Sequence, residues 1–148
     1  MHPVTWLQIE FSLASRGIED AILPAARELG VSISAYGVLS RGLLSGHWSM
    51  ERSEGAGDFR AALPRFQGDN AQTNLRLVDA LKSLAQERGC TAAQIAIAWV
   101  LARGDDIVPR VGARRRNRLH EALGALDLDL GSEDMSRIAT SLSSSTAC

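Results

Sequence analysis

The sequence predicts an α/β fold built on a parallel sheet. Three short apolar runs, each bounded by a glycine-containing turn, alternate with segments whose apolar residues recur at helical spacing. The first two runs flank one such segment at the separation of a parallel crossover. A length of 148 residues, 45% of them hydrophobic, suits a single compact domain spanning 1–148.

The first run, Val4 to Phe11, is rich in branched and aromatic residues and predicts a buried strand in which Gln8 and Glu10 need polar partners. Ile18 to Leu29 predicts a helix with Ile18, Ile22, Ala25, Ala26 and Leu29 on its buried face, Gly30 as its stop, and a break near Leu23 caused by Pro24. Val31 to Tyr36 is the second strand. Residues 37 to 74, with glycines throughout, predict a long irregular region. Leu75 to Arg88 is amphipathic, and Thr91 and Gln94 form a capping-box pattern ahead of a nearly all-apolar helix. Ile107 to Val111 is the third strand, followed by a helix carrying Leu119, Leu123 and Leu126. A last helix runs from about Glu133 to Leu142, with residues 143–148 expected to fray. No repeat interrupts this order. Three parallel strands that read as buried on both faces have few neighbours in this chain to bury them, so the sheet looks incomplete.

The formal net charge of -1, from 16 basic and 17 acidic residues, provides no overall field for nucleic acid or an anionic membrane, so any anion site must be local. No apolar run is long enough to span a bilayer, and no signal-peptide pattern is present. Cys90 and Cys148 have neither metal nor redox spacing; a reduced, cytoplasmic setting without a metal is expected.

Two stretches carry chemistry. In Gly112 to Leu119, four arginines fall within five residues where a strand gives way to a helix. Cations oppose the partial positive charge of a helix N-terminus, and a docked phosphate would resolve that conflict; a solvated basic turn is the alternative. The second stretch, Tyr36 to Gly46, places an aromatic ring at a strand end ahead of glycines that let a ligand approach the backbone. A core tyrosine is the alternative there.

Taken together, the chain resembles the aldo-keto reductase family. The matching segments are Leu7 to Leu13, Ala35-Tyr36 running into Leu39 to Gly46, Asp58-Phe59-Arg60 with Pro64-Arg65-Phe66, Ala93 to Leu101, and Ile107-Val108-Pro109 through Gly112 to Glu121. They cover the chain from about Pro3 to Ile138 in the family's order. The resemblance implies a partial (β/α)8 TIM barrel made of the last three parallel strands with their helices, with the site at the strands' C-terminal ends. It also implies NADP(H) as cofactor: Gln8 on the nicotinamide carboxamide, Tyr36 stacked on its ring, Gly37, Val38, Leu39, Ser40 and Arg41 along the pyrophosphate, Gly112, Ala113, Arg114 and Arg118 around the 2'-phosphate, and Glu121 and Ala122 on the adenine side. Gly37-Val38 departs from a common Ser-Pro pair, and Ala122 from a usual asparagine.

The family's chemistry uses an Asp, Tyr, Lys and His set, with the tyrosine as general acid. This chain has one tyrosine, Tyr36, and one lysine, Lys82, so no catalytic residue is assigned. His2, His47 and His120 are expected at exposed or packing positions, with His47 and Asp58 the only local acid-base pair to test. Three functions remain open: part of an oxidoreductase acting on a small carbonyl once the missing strands, from a complementing chain or from upstream sequence, complete the barrel, a dinucleotide-binding module, or a truncated remnant that associates with itself as a homo-oligomer.

Overall fold

The computed structural model describes residues 2–49 and 58–143. Its sheet has three parallel strands in the order β1 (Trp6–Glu10), β2 (Ser32–Tyr36) and β3 (Ile107–Pro109). Leu7 pairs with Ile33, which pairs in turn with Ile107, and Ile9 pairs with Ala35. The helices are α1 (Ile22–Glu28), α2 (Gly68–Glu87), α3 (Ala92–Leu101), α4 (Arg116–Leu123) and α5 (Ser132–Ser143), with short 3-10 turns at Ser40–Ser45, Phe59–Ala62, Pro64–Phe66 and Gly124–Asp127. Strand and helix alternate as the sequence predicts. The tail 144–148 and residues 50–57 lie outside the described residues.

The sheet is covered on one face, not two. Ile33, Ala35 and Ile107 are buried and Leu7 and Ile9 partly buried, and all five share the face that meets the helices. The opposite face carries Trp6, Gln8 and Glu10 from β1, Ser32, Ser34 and Tyr36 from β2, and Val108 from β3; Trp6 is 49% exposed and Val108 45%. The expectation of strands buried on both sides is thereby corrected: side chains alternate across a strand, and every second position here is polar or open. Across this open face the Arg110 guanidinium donates to Gln8 Oε1 at 2.6 Å. Glu10 accepts from Ser15 Oγ at 3.0 Å and from Arg65 Nη1 at 3.1 Å. Both polar residues of β1 therefore have the partners that strand burial demands.

Two helix readings are also corrected. α1 begins at Ile22, so Pro24 falls in its first turn, where a missing N–H costs no helical bond. Its buried face is Leu23 and Ala26, joined by the preceding Ile18, while Ile22 and Leu29 are 39% and 76% exposed. α2 begins at Gly68, seven residues before the predicted Leu75. The extra turns are polar, but Ala71 is buried and Asn74 Nδ2 donates to the Arg65 carbonyl at 2.8 Å, so tertiary contacts override weak propensity.

The main core lies between the covered face and the pair α2 and α3, with Phe11, Leu43, Leu44, Leu77, Val78, Ile95 and Val100 essentially inaccessible. Each large side chain so buried contributes about 1.5–3 kcal/mol. Phe11 packs on Trp99 at a ring-centroid distance of 5.4 Å, and the Arg16 and Arg103 guanidiniums cover Trp99 at 5.6 and 5.3 Å. Leu119, Leu123 and Leu126, at helical spacing in the sequence, are 50 to 66% exposed. Leu119 and Leu123 lie on α4 and Leu126 in the 3-10 turn after it; α4 follows a strand at the sheet edge and has α3 on only part of its circumference.

Candidate functional site

The loops that leave β2 and β3 meet above the C-terminal end of the sheet and enclose a cavity of about 660 Å³. One wall comes from the segment after β2: Leu39, Gly42, Ser45, His47, Trp48 and, further on, Arg60. The other comes from the segment after β3 and the first turns of α4: Val111, Gly112, Arg114, Arg115, Arg118, Glu121 and Ala122, with Ala93 and Ile97 of α3 as the floor. Strand β3 is only three residues long, so the chain turns early and presents the arginine run to this space.

The start of α4 is electrostatically unfinished. Arg115 stands at the N-cap with extended backbone angles and no side-chain capping hydrogen bond, and the first turn holds no acid. Asn117 Oδ1 accepts from the Arg118 amide at 3.0 Å. Arg118 Nη1 donates to Glu121 Oε2 at 2.7 Å and lies 3.2 Å from His47 Nε2. Burial raises the Glu121 carboxyl pKa, but hydrogen bonds with Arg118 and Thr91 and the charges of Arg118 and His47 outweigh it, leaving the group below the usual carboxylate range. Glu121 is thus held as an anion that orients Arg118.

The opposite wall is rigid and bent. Ser40 and Arg41 adopt left-handed backbone angles, φ 47° and 57°, followed by Gly42 at φ 90°. Non-glycine residues in that region cost on the order of 1 kcal/mol each, and such strain gathers at ligand-facing turns. It is held by the buried Ser40 hydroxyl, which accepts from Arg65 Nη1 at 2.6 Å, and by Ser45 Oγ, which donates to the Gly42 carbonyl at 2.6 Å. Gly37 has φ 69°, and a Cβ there would come within 3.1 Å of Glu10 Cγ. Asp58 accepts from the Arg60 amide at 3.0 Å and from its guanidinium at 2.6 Å; those bonds lower its pKa. The suggested His47 and Asp58 pair is therefore divided between other partners, His47 on Arg118 and Asp58 on Arg60.

Of the residues singled out in the sequence, Leu39, Gly112, Arg114, Arg118, Glu121 and Ala122 line the cavity together. Val38 and Ser40 are buried beneath it, Arg41 lies over the Phe59 ring at 5.8 Å, and Ala113 is exposed beside the arginines. Gln8 and Tyr36 lie on the open face of the sheet, Tyr36 with 41% of its surface exposed, and Gly37 follows directly. Arg60, Arg115, His47 and Trp48 also line the cavity, although sequence reasoning assigned none of them to the cofactor. Arg60 and Arg115 stood inside quoted motifs, whereas His47 was paired in sequence with Asp58 and its contact with Arg118, 71 residues away, had no local signal.

Comparison with known proteins agrees with this fold. The model of the aldo/keto reductase family matches residues 2–142. A probable aldo-keto reductase 1 from Glycine max is 38% identical over 138 residues, covering 93% of this chain and 40% of that protein. The structure of a glycerol dehydrogenase from Gluconobacter oxydans superposes with a TM-score of 0.90 at 29% identity, covering 98% of this chain and 44% of that one. An aldo-keto reductase from Klebsiella pneumoniae in complex with NADPH gives a TM-score of 0.64 at 25% identity, covering 92% and 38%. The chain spans less than half the length of these relatives, and its three strands with their helices are a part of their barrel. By sequence match and by fold, this chain belongs to the aldo/keto reductase family.

Proposed function

We propose that residues 1–148 act as one unit, the cofactor-holding C-terminal part of a cytoplasmic, NADP-dependent aldo-keto reductase. The carrying observation is the uncapped start of α4, where Arg114, Arg115 and Arg118 face a cavity at the strand tips with no acid in the first helical turn. The donor set fits a phosphorylated dinucleotide: guanidiniums and free helix amides for the 2'-phosphate, and the indole N–H of Trp48, buried in the wall without a hydrogen-bond partner among the described residues. Tyr36, exposed on the open face of the sheet, is accessible to a flat ring, and Gln8 offers an amide on the same face. NADP(H) would supply the hydride for carbonyl and alcohol interconversion.

The residues of this chain bind and orient; they do not assemble a proton donor. Its one lysine, Lys82, is on α2 and pairs with Asp79 at 3.5 Å, on a different element from its one tyrosine, Tyr36. Reduction of a small carbonyl is accordingly proposed only for the barrel completed by further strands. A second reading, association with a complementing chain or a second copy, is favoured by the free outer edges of β1 and β3 and by exposed Leu119, Leu123 and Leu126. Nucleic acid and membrane are not proposed as partners; among the described residues no helix is long and apolar enough to cross a bilayer.

Titration calorimetry with NADP+ tests the reading. Saturable binding is expected, weakened roughly tenfold or more by Arg114→Ala, the effect of removing a charge-assisted hydrogen bond. Absence of heat, or an Arg114→Ala isotherm identical to that of the unmodified chain, would overturn it.

A further inference from the structure

We propose that Arg110 is a specificity-determining residue: its guanidinium, fixed across the open face of the sheet, favours the reduced cofactor with its neutral nicotinamide ring over the oxidised cofactor with its cationic ring. The proposal rests on the reading of Gln8 and Tyr36 as nicotinamide contacts and adds a selectivity between the two redox forms.

The strands determine where the charge sits. Side chains alternate across β3, so Ile107 enters the core, Val108 stands on the open face, and Arg110, just past the strand, returns to that face at its C-terminal end. The Arg110 amide donates to the Ala35 carbonyl at 2.7 Å, which fixes the residue beside Tyr36 at the end of β2. From there the guanidinium reaches past β2 to β1, where Nη1 donates to Gln8 Oε1 at 2.6 Å. Gln8 is in register with Ser34, so the side chain crosses β2 over the interval from Ser34 to Tyr36. The same bond orients Gln8: a guanidinium has donors only, so the atom it meets is the amide oxygen, and the Gln8 NH2 is left for a ligand's acceptor.

No neighbour neutralises this charge. Glu10 on β1 is bonded to Ser15 and Arg65, and Asp106, just before β3, to Arg27. Among the described residues no carboxylate forms an ion pair with Arg110, whose side chain bonds the uncharged Gln8. A flat ring stacked on Tyr36 with its carboxamide on Gln8 would lie beside this guanidinium. The oxidised ring carries a positive charge and the reduced ring none, so a fixed cation here repels one form and not the other. The arginines before and within α4 cannot supply that distinction, because the phosphate they would hold is common to both forms. Further strands that enclosed this face would strengthen the repulsion by excluding water.

The test is calorimetry at low ionic strength with NADPH, NADP+ and adenosine 2',5'-bisphosphate, which has phosphates but no nicotinamide. It uses the 148-residue chain and the variants Arg110→Gln, Arg110→Lys and Arg114→Ala. Glutamine keeps a donor for Gln8 without the charge, and lysine keeps the charge. Arg110 is exposed, and thermal melts verify that each variant is folded. The unmodified chain is expected to bind NADPH more tightly than NADP+. Arg110→Gln should shrink that ratio by roughly fivefold, the effect of one nearby unit charge in a hydrated site, and Arg110→Lys should preserve most of it. The bisphosphate should bind equally to the unmodified chain and to both Arg110 variants. A residue that merely held Gln8 or the strand end would weaken both redox forms together and leave their ratio unmoved. If both cofactors bind, Arg114→Ala weakens them, and the ratio is the same with arginine and glutamine at this position, the selectivity assigned to Arg110 is wrong and the cofactor reading stands. If neither cofactor binds, or Arg114→Ala leaves both unchanged, both fall.

Discussion

Helices α3 and α4 both present their first turns to the cavity, and they begin in opposite ways. At α3, Thr91 Oγ1 accepts from the Gln94 amide at 3.2 Å while Gln94 Oε1 accepts from the Thr91 amide at 2.9 Å, a complete capping box. At α4, Arg115 occupies the capping position, caps nothing, and is flanked by further arginines. The first helix caps its own amides and is buried almost throughout; the second has no side-chain bond from its N-cap and no acid in its first turn, and none of its residues is fully buried. In the proposed reading, one end serves stability and the other a ligand, at the floor and one wall of the same cavity.

Substitutions at the two caps should separate these purposes. The largest effect is expected from Arg115→Asp, because the extended angles at this position suit a capping carboxylate. It should raise thermal stability by about 1 kcal/mol while reducing NADP+ affinity by more than roughly tenfold, through reversed charge and an occupied helix end. A melt and a titration on the same sample check both; loss of stability together with loss of binding would mean that the arginine turn is structural. The smaller effect belongs to Thr91→Ala, expected to lower stability by about 1 kcal/mol with roughly twofold change in affinity, the latter through its hydrogen bond to Glu121. A large affinity change there, read by the same titration, would erase the distinction between the two helix ends.

The contrast also explains what could be read in advance. The α3 cap was legible because both partners are three residues apart, and the arginine turn because four like charges at a helix start are locally unfavourable. Parallel pairing followed from the alternation of elements. Features set by distant parts of the chain were not legible. The early start of α2 depends on Asn74 reaching the Arg65 carbonyl, and the open face of the sheet depends on which neighbours its strands have. The exposed leucines of α4 have perfect helical spacing, which reports a stripe but not what covers it. The contact of His47 with Arg118 was not legible for the same reason, since the two lie far apart in the chain.

NADP+ and NAD+ differ only by the 2'-phosphate, so their relative affinity isolates what the arginine turn contributes. Calorimetry at low ionic strength should show NADP+ binding at least roughly tenfold tighter than NAD+, with Arg114→Ala bringing the two together. Equal affinities in the unmodified chain, or a preference that survives Arg114→Ala, would contradict the claim that the uncapped, arginine-lined start of α4 awaits that phosphate.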